Sequence, residues 1–280
     1  MRCAFRIGYW GEQFFGSQVQ PDVRTVEGEV AAACRRLGLF DDPKEAGFTS
    51  AGRTDRGVHA AAQVVAFTTD LPGRAVAALP HELPKDIWCT GWAAVHDRFN
   101  PRKEALARTY RYYFGEHPGD LAAMNRAAAL FVGEHDFTLF SRKSERSPIR
   151  RVLATSVAEE EGACVFQVTA ESFLWNMVRC MAGALDAVGR GECGADGIAD
   201  LLTGRGGRRP AAAPPHGLIL TDVDYGFAFT PVRPSRKAMA ALENRGRELR
   251  QKEGANRELH RFCLDVPREQ AVDDELRHLP

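Results

Sequence analysis

The stretch EALARTYRYYFG, residues 104–115, alternates in chemistry and is rich in aromatics, which marks a strand. It decides the fold because it restarts a pattern. Upstream, residues 2–9 also alternate and read as a strand. Thr25 has the chemistry of an N-cap, Val26, Val30, Ala33, Cys34 and Leu37 follow at helical spacing, and Gly38 closes that helix. Strands at 62–69 and about 87–96 flank a short helix near 73–79. Downstream of 104–115 come a helix at 119–131 and a hairpin of 150–158 and 163–173 around Glu161-Gly162. In the helix 174–189, Leu174, Met177, Val178, Met181, Leu185 and Val188 form one apolar stripe. A short helix near 195–203, a loop at 204–215 and a final strand at 217–226 complete the series. Strand–helix–strand–strand thus occurs twice. The expectation is an α+β protein of two halves, 1–103 and 104–228, each an antiparallel sheet with helices on one face. Residues 229–280 are charged and poor in aromatics, with a helix expected at about 235–260, and read as a C-terminal extension.

The composition agrees with a folded chain. Of 280 residues, 44% are hydrophobic and 26% charged, which supplies a sizeable core and excludes disordered, collagen-like and disulfide-miniprotein classes. No apolar run is long enough to span a membrane. The amino terminus, MRCAFRIGYWGEQ, lacks a signal peptide's apolar segment, so a cytoplasmic location is expected. The seven cysteines are scattered without C-x-x-C spacing and are expected to be reduced core residues; no metal site is expected.

The 37 basic and 37 acidic residues cancel, which by itself argues against a nucleic-acid binder. The charge is uneven, however. Residues 98–111 and 142–151 each carry five basic residues against one acidic, while acids gather at 159–161 and 273–275. A neutral total therefore accommodates a basic groove. The bases are mostly arginine, the side chain suited to phosphate and to stacking on nucleobases.

The candidate chemistry centres on AGRTDRGVHA, residues 51–60. One carboxylate, Asp55, stands between Arg53 and Arg56, bracketed by Gly52 and Gly57, which permit tight turns and close approach of a ligand. A small ionised carboxylate on a loop suits a nucleophile or base, although a turn of solvated charges shows the same local pattern. Arg179 lies off the apolar stripe of its helix. Its neighbours at helical spacing (Trp175, Asn176, Ala182 and Gly183) are not acidic, so its partner must come from elsewhere or it reaches to water. Small residues at 182 and 183 allow another segment close. On strand 104–115, Leu106, Arg108, Tyr110, Tyr112 and Phe114 share one face, and Thr109, Arg111 and Tyr113 the other. An Arg/Tyr face suits RNA, and half-buried strand aromatics look the same. GRGECG at 189–194 fits the dinucleotide-binding glycine pattern but follows a helix rather than a strand, so helix capping explains it better. RGGRR at 205–209 suits either RNA or a solvated loop.

Taken together, the motifs resemble the tRNA pseudouridine synthase A family, in an archaeal-like form. AGRTDRGVHA is similar to its signature, with Asp55 at the position of the catalytic aspartate. RTYRY at 108–112 resembles its second motif and places the active-site tyrosine at Tyr110; FLWNMVR at 173–179 resembles its third and places the aspartate's arginine partner at Arg179. APPHGL at 213–218 resembles its late motif, whose apolar residue, here Leu218, packs near uracil. GSQVQ at 16–20 resembles its opening motif, with Ser17 where tryptophan often stands.

The resemblance covers about residues 1–228. It implies two ferredoxin-like (RRM-like) halves sharing an extended, mostly antiparallel sheet, with the active-site cleft between them. It also implies a homodimer binding tRNA, no cofactor and no metal. The implied reaction detaches uracil from C1′ of its ribose, turns it and rejoins it through C5, at positions 38–40 of the anticodon stem-loop. Asp55 either attacks covalently or stabilises and deprotonates the sugar, Arg179 orients it, and Tyr110 stacks on the base and handles the C5 proton. Arg53 fills the gap left by the flipped nucleotide, Arg56 meets phosphate, and His59 packs the loop. A non-catalytic tRNA-binding or folding module on the same scaffold is the competing reading, which retention of both Asp55 and Arg179 disfavours. A glycoside hydrolase would need a second carboxylate that these motifs lack.

Overall fold

The computed structural model describes residues 1–116, 119–142 and 147–264. Lys143, Glu145 and Arg146 of the second basic stretch, and the acids at 273–275, lie outside the described residues. Met1–Ser235 form one compact unit and Arg236–Pro280 a second.

The first unit runs β1 (Arg2–Tyr9), α1 (Val26–Arg36), β2 (Thr49–Ser50), β3 (His59–Thr68), α2 (Pro72–Glu82) and β4 (Ile87–Val95). It continues with β5 (Ala107–Tyr113), α3 (Leu121–Ala129), β6 (Gly133–Asp136), β7 (Ile149–Glu160), β8 (Ala163–Ala170), α4 (Met177–Gly189), α5 (Ala195–Leu202), β9 (Leu218–Asp224) and β10 (Thr230–Pro231). Among the described residues the strands make one ten-stranded sheet, ordered β10–β4–β1–β3–β9–β5–β8–β7–β6 with β2 attached to β3. Mixed α+β architecture around a large, mostly antiparallel sheet is therefore observed. The second unit's described part is one helix, α6 (Arg236–Leu264).

Local chemistry accounts for the element ends. Thr25 Oγ1 accepts from the Gly28 N–H at 3.2 Å, capping α1, and the chain turns out of that helix at Gly38, φ +64°. Glu161 (φ +51°) and Gly162 (φ +79°) form the two-residue turn of the β7–β8 hairpin. Gly191 (φ +72°) leaves α4, which is the capping role expected of the 189–194 glycines. Phe5 stacks on Phe67 at 5.5 Å in the core beside β1, and Phe131, Phe137 and Phe140 cluster in the later half.

Several expectations need correction. The helix expected from 174 begins at Met177, because Asn176 takes a left-handed conformation (φ +65°). The strand expected at 104–115 is limited to Ala107–Tyr113, and β3 starts at His59 rather than 62. β2, β6 and β10, of two to four residues, are too short to show a two-residue period. Five cysteines (3, 34, 89, 164 and 180) are buried as expected, but Cys193 is exposed.

The sequence halves meet at one seam. β3 and β9 pair in parallel, His59 with Ile219 and Ala60 with Leu220, whereas every other pairing among the described residues is antiparallel. Parallel strands start at the same end of a sheet. The loop before β3, residues 51–58, and the loop before β9, residues 211–217, are thereby set side by side.

Candidate active site

Neighbours pin the 51–58 loop residue by residue. Arg108 Nη2 donates to the Ala51 carbonyl (3.0 Å) and Gln63 Nε2 to the Gly52 carbonyl (2.9 Å). Thr54 is clamped by Ser17: the Thr54 N–H donates to Ser17 Oγ (2.9 Å) and the Ser17 N–H to the Thr54 carbonyl (3.1 Å). Thr54 Oγ1 shares a 2.8 Å hydrogen bond with the buried Tyr9 hydroxyl. Gly57 has φ +84°, where a side chain would be strained and its Cβ would press on Pro215. Gly52 has no such requirement, since a Cβ there meets nothing within 4 Å, so only one of the two bracketing glycines is needed for shape.

Ser17 thus serves as a buried hydrogen-bonding clamp. Ser17→Ala is expected to strand the buried Thr54 N–H and lower the unfolding free energy by about 1–2 kcal/mol. A urea midpoint unchanged from wild type would contradict the clamp.

The loop presents Asp55, and the later half supplies its partners. Arg179 Nη1 donates to Asp55 Oδ2 at 3.1 Å, and Arg179 Nε donates to the Ala213 carbonyl at 2.7 Å. The second contact belongs to a close approach of α4 and the 211–213 segment. The Ala213 N–H donates back to the Arg179 carbonyl (2.9 Å), and a Cβ on Gly183 would lie 2.1 Å from the Ala211 carbonyl oxygen. Glycine at 183 is required for this approach, in keeping with the small residues at 182–183.

Trp175 Nε1 donates to Asp55 Oδ1 at 2.9 Å. With its amide oriented to satisfy both ends, Asn176 donates to Asp55 Oδ2 (2.6 Å) and accepts from Arg142 Nε (3.3 Å). The carboxylate therefore takes three donors from the 175–179 segment. A carboxylate has about four lone-pair positions, so one stays open. The side chain keeps 28% of its surface accessible, enough for a nucleotide to reach it.

Trp175 and Asn176 are site residues that the sequence does not single out. They lie inside the FLWNMVR motif, but helical spacing places them in the first turn of a helix. The cue is an indole next to a polar residue ahead of the apolar stripe, which gives no direction in space.

Tyr110 is buried on β5, with the Phe173 ring edge-on at 5.1 Å. Burial pushes its phenol up to about 12; Arg108 opposes this and the Asp55 charge adds to it, so the hydroxyl is protonated at neutral pH. Leu218 is buried at the start of β9, in register with Tyr112. Arg53 is exposed, with no ion pair among the described residues. Arg56 is exposed and lies over the Phe15 ring, 4.2 Å from its centroid. His59 is buried, accepts from the Gly11 N–H at Nδ1 (3.0 Å) and packs edge-on to Trp10, consistent with a packing role.

Two arginines of the basic stretch 98–111 are engaged within the protein. Arg108 is buried and donates to the carbonyls of Glu171 (2.6 Å), Arg102 (2.7 Å) and Ala51. Its guanidinium is a bracket between the halves, which is why it cannot meet RNA from the Arg/Tyr face. Arg111 is paired with Glu160 of β7.

Among the described residues no cluster of side chains has the composition of a metal site, and no helix is long and apolar enough to cross a membrane. The geometry is that of a fixed, accessible carboxylate with a cationic partner and a protonated phenol nearby, suited to acting on an electrophilic carbon or an adjacent proton.

Comparison with known proteins places this geometry in context. A family model described as tRNA pseudouridine synthase matches residues 127–226, a span that includes Arg179. A tRNA pseudouridine synthase A from Methanoculleus marisnigri is 61% identical over 232 residues, 83% of this chain and 86% of that one. Another, from Methanosphaerula palustris, is 48% identical over 279 residues and all of both chains, so the stretch 229–280, which no motif covers, has a counterpart there. A third, from Thermococcus kodakarensis, is 41% identical over 82% of this chain and 87% of its own.

Proposed function

The chain belongs to the tRNA pseudouridine synthase A family, and from this premise we propose that it acts on uridines 38–40 of the tRNA anticodon stem-loop with Asp55 as its catalytic carboxylate. The broader statement needs no proposal: the chain is a tRNA pseudouridine synthase, an isomerase. The observation that carries the finer reading is the cradle around Asp55, in which Arg179, Trp175 and Asn176 all donate to one partly exposed carboxylate.

Breaking the C1′–N1 bond and forming C1′–C5 exchanges one glycosidic bond for another within the same nucleoside. The C5 hydrogen leaves as a proton, so the step consumes no oxidant or reductant. Covalent attack by Asp55 and its removal of a sugar proton both require an ionised carboxylate held in one orientation. Arg179 and Trp175 support that orientation, one on each oxygen. Tyr110 offers its ring to the uracil and its hydroxyl to proton transfer at C5. Leu218 forms apolar packing beneath the base. Arg53 enters the space left by the extruded nucleotide, and Arg56 contacts phosphate.

The same reading takes two ferredoxin-like halves, 1–103 and 104–228, with the residues from 229 belonging to neither, although β10 joins the sheet beside β4. It also takes the working form as a cytoplasmic homodimer that grips one tRNA across both subunits. Purified protein given unmodified tRNA carrying C5-tritiated uridine is expected to release tritium, and mapping should place pseudouridine at 38–40. Tritium release with pseudouridine only at other positions would overturn the site assignment while leaving the chemistry standing.

A further inference from the structure

A cleft of about 1100 Å³ lies beside the Asp55 cradle, lined by Thr138, Ser141, Arg142, Leu174, Arg208 and Arg209 among others, with no acid among the described residues that line it. Three of its lining residues are arginines. Elsewhere Arg24, Arg36, Arg111, Arg179, Arg190 and Arg205 each face a carboxylate. Among the described residues these three do not. Arg209 Nη1 donates to a neutral acceptor, the Ser141 carbonyl, at 3.1 Å. Arg142 lies 4.7 Å from the centre of the Trp175 ring and donates through Nε to the Asn176 amide. Arg208 is exposed and has no carboxylate.

Two of these charges, those of Arg142 and Arg209, converge with that of Arg179. Burial raises the Cys180 thiol, while Arg209, Arg179 and Arg142 together pull it the other way, so three guanidiniums act on one buried sulfur atom. Among the described residues only Arg179 of these three faces a carboxylate, that of Asp55. Like charges gathered without counter-charge repel one another, and an anion relieves that cost. Planar guanidiniums favour phosphate oxygens, which they bind through paired N–H donors.

The position of the cleft selects among anions. Arg142 touches both Trp175 and Asn176, and each of these touches Asp55. A group bound at Arg142 is thus separated from the carboxylate by a single layer of side chains.

We propose that this cleft is a phosphodiester subsite, in which Arg208 and Arg209, with Arg142 at the inner end, hold the RNA backbone immediately next to the uridine presented to Asp55. The proposal rests on the reading of Asp55 as the reacting centre and adds the path of the strand beside it. It also assigns a role to the RGGRR segment, whose arginines are exposed.

The test is a binding cycle on the full chain, run in an Asp55→Ala background so that turnover does not enter. The probes are stem-loop RNAs containing the target uridine, each with one flanking phosphate replaced by a neutral methylphosphonate. For the parent protein, one or two replacements next to the uridine are expected to weaken binding roughly 3–10-fold. Arg208→Gln/Arg209→Gln should bind the unaltered RNA about tenfold more weakly and be indifferent to those same replacements. The slope of log affinity against log salt should fall by about 0.7 for each phosphate that the variant no longer neutralises. Both substitutions are on exposed side chains, and matched thermal melts verify folding. Full additivity of protein and RNA changes at every position, or unchanged affinity and salt slope in the variant, would overturn the subsite. Failure of the Asp55 reading would show separately, as turnover by Asp55→Ala alone.

Discussion

Asp55→Ala is expected to lower tritium release from C5-labelled tRNA by about 10⁴-fold or more while leaving tRNA affinity within about threefold, because it removes the reacting group and leaves the binding surface. Alanine is the cleaner substitution. In Asp55→Asn the amide nitrogen, placed at Oδ2, would face the donors of Arg179 and Asn176, and placed at Oδ1 it would face the Trp175 N–H. The asparagine variant therefore combines loss of charge with misorientation, and both variants should be inactive. Activity of Asp55→Ala within tenfold of wild type would remove Asp55 from the mechanism. Loss of tRNA binding in parallel with activity would assign it to substrate recognition instead.

Arg179→Leu is expected to cost about 10²–10³-fold in turnover, the scale seen when one preorganised charged donor is removed from a reacting site. The loss has two origins. Asp55 loses its only ion-pair partner among the described residues, and the Ala213 carbonyl loses the Nε donor that ties α4 to the segment before β9. Both side chains of the pair are partly exposed, so the stability cost is modest, about 1–2 kcal/mol, and the variant should fold. Arg179→Lys should be intermediate, since one ammonium cannot reproduce a fork that bonds a carboxylate and a carbonyl in different directions. Wild-type turnover in folded Arg179→Leu would show that the carboxylate works without this partner.

Much of the scaffold is legible in the sequence because its determinants are local. The stripe from Met177 to Val188, the Thr25 cap and the Glu161-Gly162 turn are each set within a few residues of sequence, and the structure repeats them. The parallel pairing of β3 with β9 is different in kind. It joins residues about 160 positions apart, and no local period encodes which strand will lie beside which. The start of α4 escapes the sequence for a related reason: Leu174 continues the apolar spacing, but a left-handed residue at 176 interrupts the backbone.

The site is legible as residue types in motifs rather than as contacts. Asp55 stands out as a single carboxylate between two arginines, bracketed by glycines, and Arg179 as a charge with no acidic neighbour at helical spacing. The roles of Ser17, Arg108 and Trp175 are hidden because each acts through a specific direction in space. Ser17 fixes an amide across the loop, Arg108 gathers three carbonyls, and Trp175 aims an indole N–H at a carboxylate from a position just outside α4.

The seam has a consequence for how the protein comes into being. The carboxylate is encoded early in the message, its guanidinium 124 residues later, and the strand that locks the two loops together later still. A nascent polypeptide on the ribosome therefore carries an aspartate whose loop is already within reach of Ser17 and Gln63, but whose donors at 175–179 are not seated beside it until β9 has been translated. Chemical competence arrives late in synthesis and all at once, and an abortive product ending before residue 218 lacks the strand that brings the two loops together.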